Sequence, residues 1–441
     1  MVVDALDDDD DDDSSSTRSE RSINDYDSFF DTDSDDDDDA RNYDSLGRTT
    51  LRRIQQNKPN VSSLYAFGEC WIEGAGEAIG DSQVLRRIKI QTDLFEESTS
   101  WILELCLGLA RNRSIERISL DLHDQYRHVI DDINTFLECN DQLKSIAIKG
   151  LMCSRFVSMI LMASQSKPCL SELHFRKCEF GKNECAELAT LLNYPTSKIQ
   201  VLNLDGSMFL NWNCFAILSS ALIGYRTLRI LNMNSIYFLD DSIWSSLSSI
   251  LSHPACSLEK LDISCTGIGD VGMALLGDAL AINKTLQQLH ISGNDSITSA
   301  GWEGFSICLR SPMSALQYLT AKKCDIDEDG FVAIFAALAR NSSFVALNAH
   351  GNTDEFVSKR KATALCHILC DKTSIKHTYS SNHTFATIWG DRYFDRETFD
   401  EYASLLDLNK NEDKMEIARE KILTTHFPIG SGDLHVFASM S

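Results

Sequence analysis

The chain has 441 residues, 43% of them hydrophobic, and a formal net charge of -24, so it can bury a large core as several domains or as one continuous repeat array. The charge is uneven: residues 1–40 hold 17 Asp and one Glu against two Arg, which is -16, and the remaining 39 basic and 47 acidic residues give -8. No part of this balance supplies the overall basic field from which a phosphate-binding protein draws its affinity, which argues against nucleic acid as a partner.

The opening residues MVVDALDDDD lack the positive and apolar regions of a signal peptide, and no apolar run approaches the ~20 residues of a membrane span. The expectation is therefore a soluble protein of the cytoplasm or nucleus, without a membrane partner. Fourteen Cys are scattered singly and not grouped in a short-spaced framework, so they read as reduced packing residues.

Residues 1–45 carry the unbroken run Asp7 to Asp13 and a second from Asp35 to Asp39, separated by Ser14, Ser15, Ser16 and Thr17. Such a segment repels itself and buries too little apolar surface to offset its ordering entropy, so it is expected to be a disordered acidic arm. Residues 46–84 follow as an N-terminal cap with a first degenerate repeat.

From about Val61 the chain repeats an apolar triplet at positions 1, 4 and 6 with a small or polar residue at position 9. Clear copies are Leu170-x-x-Leu173-x-Phe175-x-x-Cys178, Leu258-x-x-Leu261-x-Ile263-x-x-Thr266, Leu286-x-x-Leu289-x-Ile291-x-x-Asn294 and Leu316-x-x-Leu319-x-Ala321-x-x-Cys324. Weaker copies start at Leu85, Ile115, Leu143, Ile199, Leu228, Phe344 and Ile375, and the eleven starts from Leu85 are spaced 27 to 31 residues apart. The triplet suits a short strand. The segment after it, as in Ile268 to Leu280 and Ile326 to Leu338, has apolar residues at three- and four-residue steps and suits a helix. Pro59, Pro168, Pro195, Pro254 and Pro312 each fall two to four residues before a triplet, where a helix must end and a strand begin.

These residues resemble the leucine-rich repeat proteins of the ribonuclease-inhibitor type, with units of this length and the pattern L-x-x-L-x-L-x-x-N/C. The resemblance covers about Val61 to Phe385. It implies an α/β leucine-rich repeat solenoid, a horseshoe with parallel strands on the concave face and helices on the convex face, over residues 85–385. Two units depart at position 9, with Leu151 and Ile236 where a side chain should bond the turn backbone, so distorted turns are expected there. The unit at Ile375, with Thr378 and Ser380 at apolar positions, is expected to be a degenerate terminal repeat. Residues 386–441 form a helical cap and tail, with one amphipathic helix through Phe399, Tyr402, Leu405 and Leu406 and another through Met415, Ala418, Ile422 and Leu423 that ends at Pro428.

Two stretches imitate metal sites. Asp325-Ile-Asp327-Glu-Asp329-Gly330 matches the first half of a calcium loop, but its twelfth position is Ala336, and in repeat register it is a turn and helix start. Asn409 to Asp413, with Glu420 at position 12, has Lys414 where the sharp turn needs Gly, and it is placed within a helix. Cys366, His367, Cys370, His377 and His383 cluster in sequence, but Cys366 and Cys370 lie one helical turn apart among apolar residues, as packing residues do. No metal or cofactor is expected, and no nucleophile is set beside a base, so no enzyme activity is expected either.

What remains is surface. Side chains that alternate with the buried triplet point out from the strands. In the first units these are Arg86, Arg87, Lys89, Arg117, Lys144, Lys149, Arg176 and Lys177 against Glu116, Asp121 and Glu172, a local excess of +5. Later units offer Asn203, Asn232, Asp262, His290, Tyr318 and Lys322. The resemblance implies that a partner protein binds there, on a non-catalytic interaction scaffold. The alternative is a GTPase-activating protein, because the Ran GTPase-activating protein is similar in repeat type and number, although its acidic stretch follows the repeats. Residues 1–45 are expected to compete intramolecularly for the basic end. NMR signals of the arm that are identical with and without the repeats at low ionic strength would dismiss that contact.

Overall fold

The computed structural model describes residues 40–427 except 57, 59, 67–70, 93–99, 122–129, 151–153, 166, 211, 238–240, 353–358 and 390–395. The acidic runs and the contact expected of them lie outside the described residues. The chain divides into two units, 1–46 and 47–441, and the repeats all lie in the second.

Twelve strands form one sheet in chain order, every neighbouring pair parallel. They are β1 (Ser63–Ala66), β2 (Arg87–Gln91), β3 (Arg117–Asp121), β4 (Ser145–Lys149), β5 (Glu172–Arg176), β7 (Val201–Asn203), β9 (Ile230–Asn232), β10 (Lys260–Asp262), β11 (Gln288–His290), β12 (Tyr318–Thr320), β13 (Ala346–Asn348) and β14 (Thr387–Trp389). Two further short strands, β6 (Glu179–Phe180) and β8 (Met208–Phe209), pair with each other beside the sheet. Helices alternate with the main strands, for example Lys182–Leu192, Asp270–Leu280 and Ser299–Arg310. Parallel neighbours need such a crossover, and stacking the units buries one face of every strand and helix in a continuous core. The sheet is the concave face of a leucine-rich repeat α/β horseshoe and the helices are its convex face.

The core follows the triplet. Ile88, Ile118, Ile146, Leu173, Leu202, Leu231, Leu261, Leu289, Leu319 and Leu347 are in register from strand to strand and essentially inaccessible. Asp262, beside Leu261, stays half-exposed. Past the strands the ladder continues one step on, since Lys177 N–H donates to Asp205 O at 2.8 Å, Cys265 to Ser292 O at 2.7 Å and Lys323 to His350 O at 3.0 Å. The residue at this position is left-handed in successive units, at φ 54° in Lys177, 63° in Gly206, 57° in Ser235, 53° in Cys265, 69° in Gly293 and 52° in Lys323. A side chain there costs about 1 kcal/mol, which the ladder bond offsets.

Position 9 satisfies the turn as expected where it is polar. Asn294 accepts from Thr266 N–H (3.0 Å) and Gly267 N–H (2.9 Å) and donates to the carbonyls of Ile263 and Ile291. At Ile236 the turn is not lost: Ser235 keeps the left-handed conformation, Ile236 N–H bonds its own turn at Met233 O (3.3 Å), and the side chain is buried. The other anomalous position, Leu151, lies outside the described residues. Burial pushes the Cys178 thiol up to about 12, as suits a packing residue.

A second asparagine row stands three residues before the triplet. Asn283 accepts from the N–H groups of Thr285 (2.9 Å) and Leu286 (2.7 Å) and donates to Leu251 O of the preceding unit (2.7 Å). Asn112, Asn341 and Asn382 repeat this arrangement. In the fourth unit Lys167 takes the place, and its Nζ reaches Glu138 O at 3.0 Å. Truncating Asn283 to Ala orphans two buried backbone groups and one half-buried one, and a urea titration is expected to show a loss of about 2–3 kcal/mol. A change under about 0.5 kcal/mol would mean that water replaces the amide.

Three expectations are corrected at the ends. The first described helix, Ala40–Gln55, begins inside the segment taken to be a disordered arm of residues 1–45, and it buries Leu51 and Ile54. Ile375 opens no strand: Ser374 caps a short helix, Ile375–Tyr379, by accepting from His377 N–H at 3.2 Å, and the last strand is β14, entered through buried Phe385. The loop Lys410 to Asp413 separates two helices, Arg396–Asn409 and Lys414–His426, instead of lying within one. Asp413 caps the second by accepting from Met415 and Glu416 N–H.

That last helix packs through Ile417, Ala418 and Lys421, while Met415 and Leu423, assigned to its apolar face, are exposed. Lys421 Nζ donates to Leu369 O (2.7 Å), Asn382 O (2.8 Å) and Asn409 Oδ1 (2.8 Å), with His383 Nδ1 at 3.1 Å. The two backbone carbonyls are ones that a further repeat would otherwise have bonded.

Candidate interaction surface on the strand face

Three rows of side chains stand on the concave face, one before and two after the central buried residue of each strand. The row before it runs Arg87, Arg117, Ser145, Glu172, Val201, Ile230, Lys260, Gln288, Tyr318, and the row after it Lys89, Ser119, Ala147, His174, Asn203, Asn232, Asp262, His290, Thr320. The next outward row holds Lys149, Arg176, Asp205, Asn234, Ser264, Ser292 and Lys322. The sheet therefore brings the sequence-derived candidates onto one face. Arg86 and Lys144 sit at its entering edge, one residue before their strands, and Lys177 at the left-handed position beyond its leaving edge.

The basic excess of the first units is largely answered within the protein. Glu116 lies 2.7 Å from Lys144 and 3.6 Å from Arg86, Asp121 3.8 Å from Lys149, and Asp205 3.2 Å from Arg176. Asn234 donates to Asp205 at 2.7 Å. Arg117 reaches over Ser145 to Glu172 two strands away, one of its nitrogens donating at 3.0 Å. Burial alone would raise the Glu172 carboxyl, but His174 and Arg117 outweigh it and hold it below the usual range. Lys89 stands over the Tyr65 ring, 5.2 Å from its centre. Five of the eight cations thus face carboxylates of the same surface, and the local +5 overstated what a partner meets, chiefly because Asp205 belongs to the following unit.

The polar candidates of the middle units have a structural duty as well. Asn203 Oδ1 accepts from Asp205 N–H (2.9 Å), Asn232 from Asn234 N–H (2.8 Å) and Asp262 from Ser264 N–H (2.9 Å), which closes the turn after each strand. On the other side of the central buried residues, Val201 and Ile230 offer a half-buried apolar strip. Toward the other end His290, Tyr318 and Lys322 share the face with Trp389, which sequence reasoning missed because it put the last strand at Ile375. Asn382, placed before Phe385 as Asn341 is before Phe344, is the signal that locates it.

The metal-like stretches do other work. Asp327 caps the helix Glu328–Leu338 by accepting from Gly330 N–H at 2.7 Å. Cys370 is buried with its Sγ 3.3 Å from Thr425 Oγ1, His367 faces Asp371, His377 bonds Thr373, and His383 faces Lys421. These side chains do not converge on one point, and the described residues hold no group of three or more metal-ligating side chains.

A family model described as Leucine Rich repeat matches residues 255–277 and 283–306, two successive strand-and-helix units of this sheet. The mouse ribonuclease inhibitor is 27% identical over 193 residues, which is 44% of this chain and 42% of the inhibitor. This chain is a leucine-rich repeat protein of the ribonuclease-inhibitor type. The human NACHT, LRR and PYD domains-containing protein 14 is 29% identical to this leucine-rich repeat chain over 183 residues, 42% of the chain but only 16% of the human protein. Among solved structures, the yeast Rad7 and Elc1 complex includes a chain that aligns with 78% of this leucine-rich repeat chain and 97% of its own length, at 14% identity and a TM-score of 0.39. No helix among the described residues is long and apolar enough to cross a membrane.

Proposed function

We propose that this protein is a non-catalytic interaction scaffold that holds a partner protein on its concave strand face. One observation carries the reading: consecutive strands in register present one set of outward side chains per unit, a broad surface of half-exposed polar groups with an apolar strip at Val201 and Ile230. Such a surface suits a macromolecule that contacts several units at once better than a small substrate, which needs an enclosed cleft to be desolvated. A relative that is by its name an inhibitor of ribonuclease, itself a protein, agrees with this. The acidic segment 1–39 enters the reading as a regulatory element, and deleting it is expected to change partner affinity without changing the melting temperature.

The test compares two pairs of substitutions in the full chain, captured from its native cell extract. Val201→Arg with Gln288→Arg alters the strand face, and Leu107→Arg with Val271→Arg alters two well-exposed helix positions, at 69% and 59% accessibility. The strand-face pair is expected to lose the co-purifying proteins and the helix pair to keep them. The reverse result places the partner on the helices. Single-turnover GTP hydrolysis by a panel of small GTPases, if accelerated by the protein, would replace the scaffold reading with that of a GTPase-activating protein.

A further inference from the structure

The cations of the strand face differ in what they have to offer. In the units from β2 to β5 the carboxylates Glu116, Asp121, Glu172 and Asp205 answer most of them. At the other end Lys322 and Lys323 are exposed, and neither forms an ion pair among the described residues. The nearest acidic residue of the strand rows, Asp262, directs Oδ1 at Ser264 N–H. Lys323 is also held in place: it is left-handed at φ 52°, and its stem lies over Gly351, where Cγ would come within 3.0 Å of an added Cβ. A lysine with a fixed stem loses less entropy when its ammonium meets a partner.

Two aromatic side chains share the strand face with these lysines. Tyr318 precedes the central buried residue of β12, and Trp389, 44% exposed, follows that of β14. Between them in register on β13 stand only Ala346 and Asn348. Tyr318 is in register with Ala346 and Trp389 with Asn348, so the two rings stand diagonally across β13, on strands about 10 Å apart, and leave Ala346 and Asn348 as a shallow floor between them.

We propose that the strand face from β12 to β14 is where an acidic segment of a partner protein docks, its carboxylates on Lys322 and Lys323 and an aromatic or aliphatic side chain on the floor between Tyr318 and Trp389. The proposal rests on the strand face being the partner surface and narrows it to one end and one chemistry. A nucleic acid is the poorer occupant, since neutralising a run of phosphates needs a stripe of cations, and the folded part of this chain is acidic.

The test uses the full chain at physiological salt and a short fluorescein-labelled peptide rich in Asp and Glu with a central Tyr-Phe pair, followed by fluorescence anisotropy. Saturable binding is expected, weakened about tenfold or more by Lys322→Glu with Lys323→Glu and again by Tyr318→Ala, and unchanged by Arg87→Glu with Lys89→Glu. Lys322→Glu alone, at an exposed position without backbone strain, keeps the test valid if the double variant is unstable. Loss of binding on reversing Arg87 and Lys89 but not Lys322 and Lys323 overturns the location and leaves the strand-face reading standing. Indifference to both reversals overturns that reading too. A single-stranded RNA of equal length that outcompetes the peptide overturns the partner class, and no saturation up to about 1 mM overturns the proposal.

Discussion

Replacing Gly277 by Leu is expected to lower stability by about 3 kcal/mol or more. Helices Asp270–Leu280 and Ser299–Arg310 pack with their backbones nearly touching: a Cβ on Gly277 would lie 2.5 Å from Gly304 O and 2.9 Å from Phe305 Cα. Both obstacles are main chain in a packed helix, so relief requires the helices to separate. Leu is a better helix former than Gly by almost 1 kcal/mol, which works in the opposite direction and is too small to win. Gly304→Ala meets Ala274 Cβ at 3.0 Å, a contact that a shift of a few tenths of an ångström relieves, and it is expected to cost about 1 kcal/mol. Urea midpoints of the two variants check the ranking. Equal midpoints would mean that the units slide apart more easily than this packing implies.

Lys421→Met is expected to cost about 2–4 kcal/mol, because it takes the donor away from Leu369 O, Asn382 O and Asn409 Oδ1 in a buried place. The loss depends on pH. Burial lowers Lys421 to about 7, against 10.5 for an ordinary lysine, and Lys414, Cys370 and His383 are the titratable groups that face it. Between those two values the unfolded chain holds a proton that the folded chain has released, so this group makes the protein more stable as pH rises from about 7 toward about 10 and contributes no slope below that window. The Met variant lacks the slope. The stability gap between wild type and variant should therefore be wider at about pH 9 than at about pH 6.5. An equal gap at both would show that the ring of acceptors keeps the ammonium charged throughout.

Much of the fold was legible because its signal is local and recurrent. A residue such as Leu261 carries its instruction in its own unit: apolar at position 4, followed by Ile263 at 6 and a helix-period run from Ile268, it can only be a buried strand residue before a crossover. The ends were harder for a physical reason. A terminal unit has one neighbour, so its triplet need not be apolar. Ile375 with Thr378 imitated a strand that Ser374 in fact caps into a helix, while Phe385 with Ile388 was passed over. Lys421 escaped for a related reason. Amphipathic reading assigns the buried face to Met415 and Leu423, and it does not anticipate a lysine turned inward to bond carbonyls that no further repeat serves.

The surface was half legible. That Arg117, Arg176, Asn203 and Tyr318 share a face follows from the repeat register alone. Their pairing does not, because Arg117 meets a carboxylate two units on and Arg176 one a unit on, and a tally taken unit by unit cannot see those partners. Nor does sequence reveal that Asn203, Asn232 and Asp262 already bond the turn that follows each strand.

Hydrogen exchange on the full chain, with and without a partner captured from the native cell extract, addresses the strand face most directly. Slowed exchange is expected in peptides covering β9 to β14 and the turns that follow these strands, with the helices Asp270–Leu280, Ser299–Arg310 and Glu328–Leu338 unchanged. Protection confined to those helices, with the strand peptides exchanging as in the free protein, would contradict a partner held on the concave face.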